Sequence, residues 1–160
     1  YGLKGTTVVF ATLYGPHDEF DISRSHVVSA LVQKFCDAVA TDAPQVEVWG
    51  DGTQTRELIY IDDQIDGLMM TSQYEGDLIN IGTGIETTIR DLAESIKDLS
   101  GFQGEIFYNT NRFVGVKRKV LDISLAKEEF GWTINNTMTS LEDGIAQTIK
   151  WYRENEQSVR

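Results

Sequence analysis

A chain of 160 residues with 41% hydrophobic and 24% charged side chains has the composition of one globular domain, long enough to bury a core and without disordered stretches. Its formal net charge of -11 excludes nucleic acid and anionic membranes as general partners, because a phosphate surface would be repelled, so a phosphate ligand needs a local basic patch. Cys36 is the only cysteine, which excludes an internal disulfide framework and a cysteine metal cluster and suits a reducing cytoplasm.

No signal-peptide pattern, lipidation motif or apolar run of about 18 residues is present. The absence of an initiator Met and the mid-domain look of Tyr1-Gly2-Leu3-Lys4-Gly5 suggest a processed piece. Residues 6–12 are β-branched and aromatic and predict a buried strand, closed by the Gly15-Pro16 turn. From Ser25, the expected N-cap, Val27, Leu31, Phe35 and Val39 recur at helical spacing beside Val28, Val32 and Cys36, which predicts a well-buried helix of about four turns. Residues 46–49 and 56–61 read as two strands around Gly50-Asp51-Gly52, followed by a helix that Asp62 and Asp63 begin, since carboxylates favour a helix N-terminus.

Residues 78–81 predict another short strand. Thr88 and Asp91 fit a loose capping box, after which Ile89, Leu92, Ile96 and Leu99 form one helical stripe that Gly101 stops. Residues 104–108 and 119–123 read as strands, Ser124 as the cap of a short helix ending at Gly131, and Ser140 as the start of a last helix with Leu141, Ile145, Ile149 and Tyr152 inward. The predicted class is α/β, mixed helices and short strands without repeats or a linker.

Several residues carry chemistry as well as structure. Gly82-Thr83-Gly84, between a strand and a helix, has two glycines of a dinucleotide fingerprint but Thr87 in place of the third, so a turn that redirects the chain is the expectation. Arg56 is either a solvated edge charge or a bidentate phosphate ligand, expected on one strand face with Leu58 and Tyr60. Trp49 is either core or an aromatic plane for a base or sugar. His26 is either a surface residue at a helix start or a proton carrier, since imidazole titrates near neutrality. His17, beside Asp18 and Glu19, lacks metal-ligand spacing and reads as loop, so no metal is expected. Arg112, Lys117, Arg118 and Lys119 are four cations within eight residues, either a solvated loop or the local patch that a diphosphate would need.

The order and spacing of Leu13-Tyr14-Gly15-Pro16-His17, Ser25-His26, the run from Val48 to Asp63, Asn80-Ile81-Gly82-Thr83-Gly84 and Arg118-Lys119-Val120-Leu121-Asp122 resemble the second half of the extended short-chain dehydrogenase/reductase family of nucleotide-sugar epimerases, dehydratases and reductases. The resemblance is closest to its GDP-L-fucose synthase branch. It implies that residues 1–160 are the substrate-binding portion together with the last strand or strands of the Rossmann sheet. It further implies a GDP-sugar ligand, with Thr12, Val27, Lys34, Trp49, Arg56, Arg118 and Lys119 on the substrate, Leu13 on the cofactor and His26 as an acid or base of epimerisation. The cofactor implied is NADP(H), held mainly by the other half, in a cytoplasmic parent that is a homodimer; the piece alone would be a monomer or expose an abnormal interface.

Thr12 departs from the family, which usually has an asparagine there, and keeps only a hydroxyl. The family's Tyr-x-x-x-Lys pair and its Gly-x-x-Gly-x-x-Gly turn are absent from this sequence, so the chain alone is expected to be catalytically inactive. The reaction implied for the parent is proton removal beside a sugar ketone, reprotonation from the opposite face and reduction of the ketone. A UDP-sugar 4-epimerase-like enzyme and a non-catalytic nucleotide-sugar binding module are the alternatives.

Overall fold

The structure, a computed structural model, describes residues 5–133 and 138–159; residues 1–4, whose sequence reads as a mid-domain start, lie outside the described residues. In chain order the first elements are β1 (Thr7–Phe10), β2 (Thr12–Tyr14), α1 (Val27–Ala40), β3 (Gln45–Trp49), β4 (Thr55–Arg56), β5 (Leu58–Tyr60) and α2 (Ile61–Met70). A 3-10 turn at Thr71–Gln73 leads to β6 (Leu78–Ile81), β7 (Thr87–Thr88), α3 (Ile89–Ser100), β8 (Glu105–Asn109), β9 (Arg118–Lys119), α4 (Ser124–Phe130) and α5 (Leu141–Val159). The α/β expectation holds, with parallel pairs β1–β6, β2–β5 and β3–β8 and a small mixed sheet in the order β7–β4–β9.

The single buried strand expected over residues 6–12 is two strands, the first only half-buried. The break at Ala11 is a change of partner: Ala11 N donates to Ile81 O and Thr12 N to Glu57 O, so the chain leaves β6 for β5. Residues 56–61 divide likewise at Glu57, and Arg56 does not share a face with Leu58 and Tyr60 but belongs to the small sheet. The strand expected over 119–123 is confined to β9.

Two apolar cores result. The larger is formed by α1, α3 and α5 against β3, β2 and β5, with Val28, Leu31, Phe35, Leu92, Ile96, Ile149 and Tyr152 at its centre. The second gathers Ile79 and Ile81 of β6, Ala126 of α4, Ile123 and Trp132. β5 separates them, with Leu58 and Tyr60 in the first and Ile59 in the second, which explains why this strand is apolar without alternation.

The helix ends follow their chemistry with two corrections. Thr88 Oγ1 accepts from Asp91 N at 3.0 Å, and Gly101, at φ 77°, closes α3 in the left-handed conformation glycine adopts without strain. Ser140 Oγ accepts from Asp143 N at 3.1 Å before α5. At α1, however, His26 and not Ser25 occupies the N-cap, Ser25 Oγ is buried with no hydrogen-bond partner among the described residues, and Val39 faces solvent. At α4 the cap position is Ile123, and Asp122 Oδ1 takes over the role expected of Ser124 by accepting from Ser124 N.

Candidate functional site

A cleft of about 320 Å³ opens between α1, the end of β3, the turn before β4 and the loop 110–117. Alternation along β3 builds one wall: Val46 and Val48 point into the core, leaving Glu47 and Trp49 side by side on the outer face. The first two turns of α1 build the opposite wall, where Val27, Ala30, Leu31 and Lys34 line the cleft. Arg56 and Gln54 line it from the strand and turn between these walls.

Glu47 organises the polar side of this wall. Its carboxylate accepts from Trp49 Nε1 at 3.1 Å, from Asn109 Nδ2 at 2.6 Å and from Arg112 Nε at 3.2 Å, and its main-chain oxygen accepts from Lys34 Nζ at 2.9 Å. The hydrogen bond from Asn109, then that from Arg112, holds the Glu47 carboxyl below its usual range. Trp49 is thereby fixed at 45% exposure with two cations near its ring, Lys34 Nζ at 5.3 Å and the Arg112 guanidinium at 5.4 Å from the centroid. Burial pushes the Lys34 amine below its ordinary value; Glu47 opposes this and Arg112 adds to it. Arg56 Nη1 donates to Thr55 O at 2.7 Å and Val116 O at 2.9 Å, which orients its guanidinium at the base of the loop.

Of the residues singled out in the sequence, Val27, Lys34, Trp49 and Arg56 therefore meet in one cleft. His26 lies between two lining residues, Ser25 and Val27, but its own ring is 69% exposed, with Nδ1 4.0 Å from Asp18 Oδ1. The cationic patch expected from residues 112–119 divides: Arg112 joins Trp49, whereas Arg118 pairs with Glu86 through Nε at 2.8 Å, and Lys119 is exposed on β9. Thr12 and Leu13 sit in β2, opposite Leu58 and Ile59, with Leu13 packed on the second core. His17 lies in a turn, as expected, with its ring centroid 4.7 Å from that of Trp151 and the planes tilted by 51°. Among the described residues no group of three or more His, Cys, Asp or Glu could hold a metal ion, and no helix is long and apolar enough to cross a membrane.

The Gly82-Thr83-Gly84 turn does not fit a dinucleotide pyrophosphate. Gly84 N donates to Glu57 Oε1 at 2.7 Å, and a Cβ at Gly82 would strike the same carboxylate, so the space and the amide that such a cradle needs are occupied by Glu57. Glu57, Glu47 and Phe113 are the residues whose importance the sequence did not announce. Of these, Glu47 carried a usable signal, its period-two relation to Trp49.

Comparison with known proteins agrees with this architecture. Residues 1–82 match the model of the NAD dependent epimerase/dehydratase family. A probable GDP-L-fucose synthase 1 of Oryza sativa subsp. japonica is 37% identical over 97% of this chain and 47% of its own length. Among solved structures, a GDP-L-fucose synthetase from Naegleria fowleri bound to NADP superposes with a TM-score of 0.88 at 26% identity, covering 97% of this chain and 48% of that one. A UDP-glucose 4-epimerase with UDP-glucose from Thermotoga maritima superposes with a TM-score of 0.81 at 30% identity, covering 98% and 48%. The chain spans about half the length of the proteins it matches. With a fold of parallel strands and helices, a Trp-Gly-Asp-Gly turn leading to Arg56 and a family match over residues 1–82, this chain belongs to the NAD dependent epimerase/dehydratase family.

Proposed function

We propose that residues 1–160 form the substrate-binding portion of a nucleotide-sugar epimerase/reductase of the GDP-L-fucose synthase type, and that the cleft between α1 and β3 holds the nucleotide diphosphate. The observation that carries this reading is the convergence of Lys34, Trp49 and Arg56 on one cleft, with Lys34 and Arg112 beside the Trp49 ring. In a chain of net charge -11, cations gathered around a half-exposed indole select a ligand that is flat and apolar at one end and anionic at the other. A nucleoside diphosphate has that form. Arg56 contributes the fork that matches phosphate oxygens, and Lys34 a point charge. His26, beside Asp18 and next to the cleft, is the proposed proton carrier of epimerisation, and Arg118 and Lys119, on the strand paired with that of Arg56, are the proposed further contacts of the diphosphate. In its full-length form such an enzyme would work in the cytoplasm as a homodimer, with NADP(H) held mainly outside this chain and met here at Leu13.

Titrating the chain with GDP while following tryptophan emission tests the reading. Saturable quenching that Trp49→Phe removes is expected; a preference for UDP would favour the UDP-sugar 4-epimerase alternative, and no response to either nucleotide would sink the assignment. Purified chain is expected to show no nicotinamide-dependent turnover of a GDP-sugar, and turnover would refute the division of labour proposed.

Lys34 makes the binding pH-dependent in a direction that can be worked out. Burial lowers its pKa from 10.5, so the free cleft gives up this proton earlier than an exposed lysine does. A bound diphosphate restores the charged form, and binding therefore takes up a proton at alkaline pH. GDP affinity should fall as pH rises from neutrality towards 10.5, and calorimetry in buffers of different ionisation enthalpy should record the proton uptake. In Lys34→Met that uptake should vanish.

A further inference from the structure

We infer that Phe113 closes the outer side of the cleft over a nucleobase and, with Trp49, gives the site a preference for a purine; the inference rests on the nucleotide reading of this cleft. Phe113 is 87% exposed, yet it lines the cleft together with Val114 and Gly115. A phenyl ring left in water beside an apolar wall is a surface waiting to be covered.

The loop that carries it is held on both sides. At its start Arg112 N donates to Asn109 O at 3.3 Å, Asn111 N to Asn109 Oδ1 at 3.0 Å, and Arg112 Nε to Glu47 at 3.2 Å. At its end Val116 O accepts from Arg56 Nη1 at 2.9 Å and Lys117 O from Thr55 N at 2.9 Å. The backbone is thus anchored to the strands that position Trp49 and Arg56, while the Phe113 side chain stands free at the mouth, where Trp49 and Ile22 are also half-exposed. The occupant is indicated by charge: among the described residues the cleft is lined by Lys34 and Arg56 and by no carboxylate, the nearby Glu47 being paired with Arg112, so an apolar partner without anionic groups would leave the lining cations without a counter-ion in the cleft. A nucleobase stacks on aromatic faces whatever its edge pattern, and the larger purine covers more of them.

The test compares wild type, Phe113→Ala and Phe113→Trp in titrations with GDP, UDP and inorganic pyrophosphate. Phe113→Ala should bind GDP about tenfold more weakly, UDP with a smaller loss and pyrophosphate as wild type does, and Phe113→Trp should retain GDP affinity. Because the ring is exposed, the melting temperature of Phe113→Ala should equal that of wild type. Unchanged GDP binding in Phe113→Ala, or an equal loss for pyrophosphate, would overturn the inference while leaving the nucleotide reading intact. Failure of wild type to bind GDP would instead remove the reading on which it rests.

Discussion

Glu57→Ala is expected to destabilise the fold by about 3 kcal/mol, because two main-chain amides would lose their acceptor inside the protein. Glu57 is 1% exposed; its Oε1 accepts from Gly84 N at 2.7 Å and its Oε2 from Leu121 N at 2.6 Å. These bonds tie the turn after β6 and the segment after β9 to the junction of β4 and β5. For a domain of this size such a loss lowers the melting temperature by roughly 6–12 °C. Glu57→Gln keeps one acceptor and turns an amide NH2 towards an N–H, so an intermediate loss is expected. Thermal unfolding followed by circular dichroism measures both, and a Glu57→Ala variant that melts with wild type would show that the two amides find water instead.

The second large effect is on binding. Arg56→Ala should weaken GDP binding about 100-fold, the equivalent of losing two charge-assisted hydrogen bonds to phosphate. Arg56→Lys should recover part of that loss, since an ammonium restores charge without the planar fork. Arg56 also donates to Val116 O, so the alanine variant releases one anchor of the 110–117 loop, and Phe113 with it. Comparing GDP with pyrophosphate separates the contributions: lost phosphate contacts weaken both ligands, whereas a displaced loop weakens GDP alone. Fluorescence titration that gives Arg56→Ala the affinity of wild type would remove Arg56 from the site.

Much of this was legible in the sequence wherever the signal was local. The Thr88 and Asp91 start of α3 and its Gly101 stop are short-range chemistry and stand in the structure, as does its stripe through Ile89, Leu92 and Ile96, whereas Leu99, expected to continue that stripe, faces solvent in the last turn. The inward set of α5 is likewise a matter of spacing, with Ile145, Ile149 and Tyr152 buried. The strand breaks at Ala11 and Glu57 were not legible, because side-chain pattern does not say which neighbour receives each main-chain N–H. For the site, Lys34, Trp49 and Arg56 could be named from a resemblance, and the structure brings them together. Arg118 and Lys119 share their charge and resemblance but lie on β9, where Arg118 is engaged by Glu86 across 32 positions of chain, a pairing that spacing does not reveal. Phe113 left a faint trace as an apolar residue in a cationic loop, but its exposure at a cleft mouth is a three-dimensional fact.

β5 contributes Leu58 and Tyr60 to one core and Ile59 to the other, so sliding it by one residue against β2 would exchange one apolar set for another without exposing either to water. The alternation that ordinarily selects strand register is therefore weak along this strand. Glu57 supplies the selection: a slip would carry its carboxylate into an apolar core and strand the amides of Gly84 and Leu121. The buried carboxylate is in this sense an alignment key, a residue that tells a strand greasy on both sides where to stop.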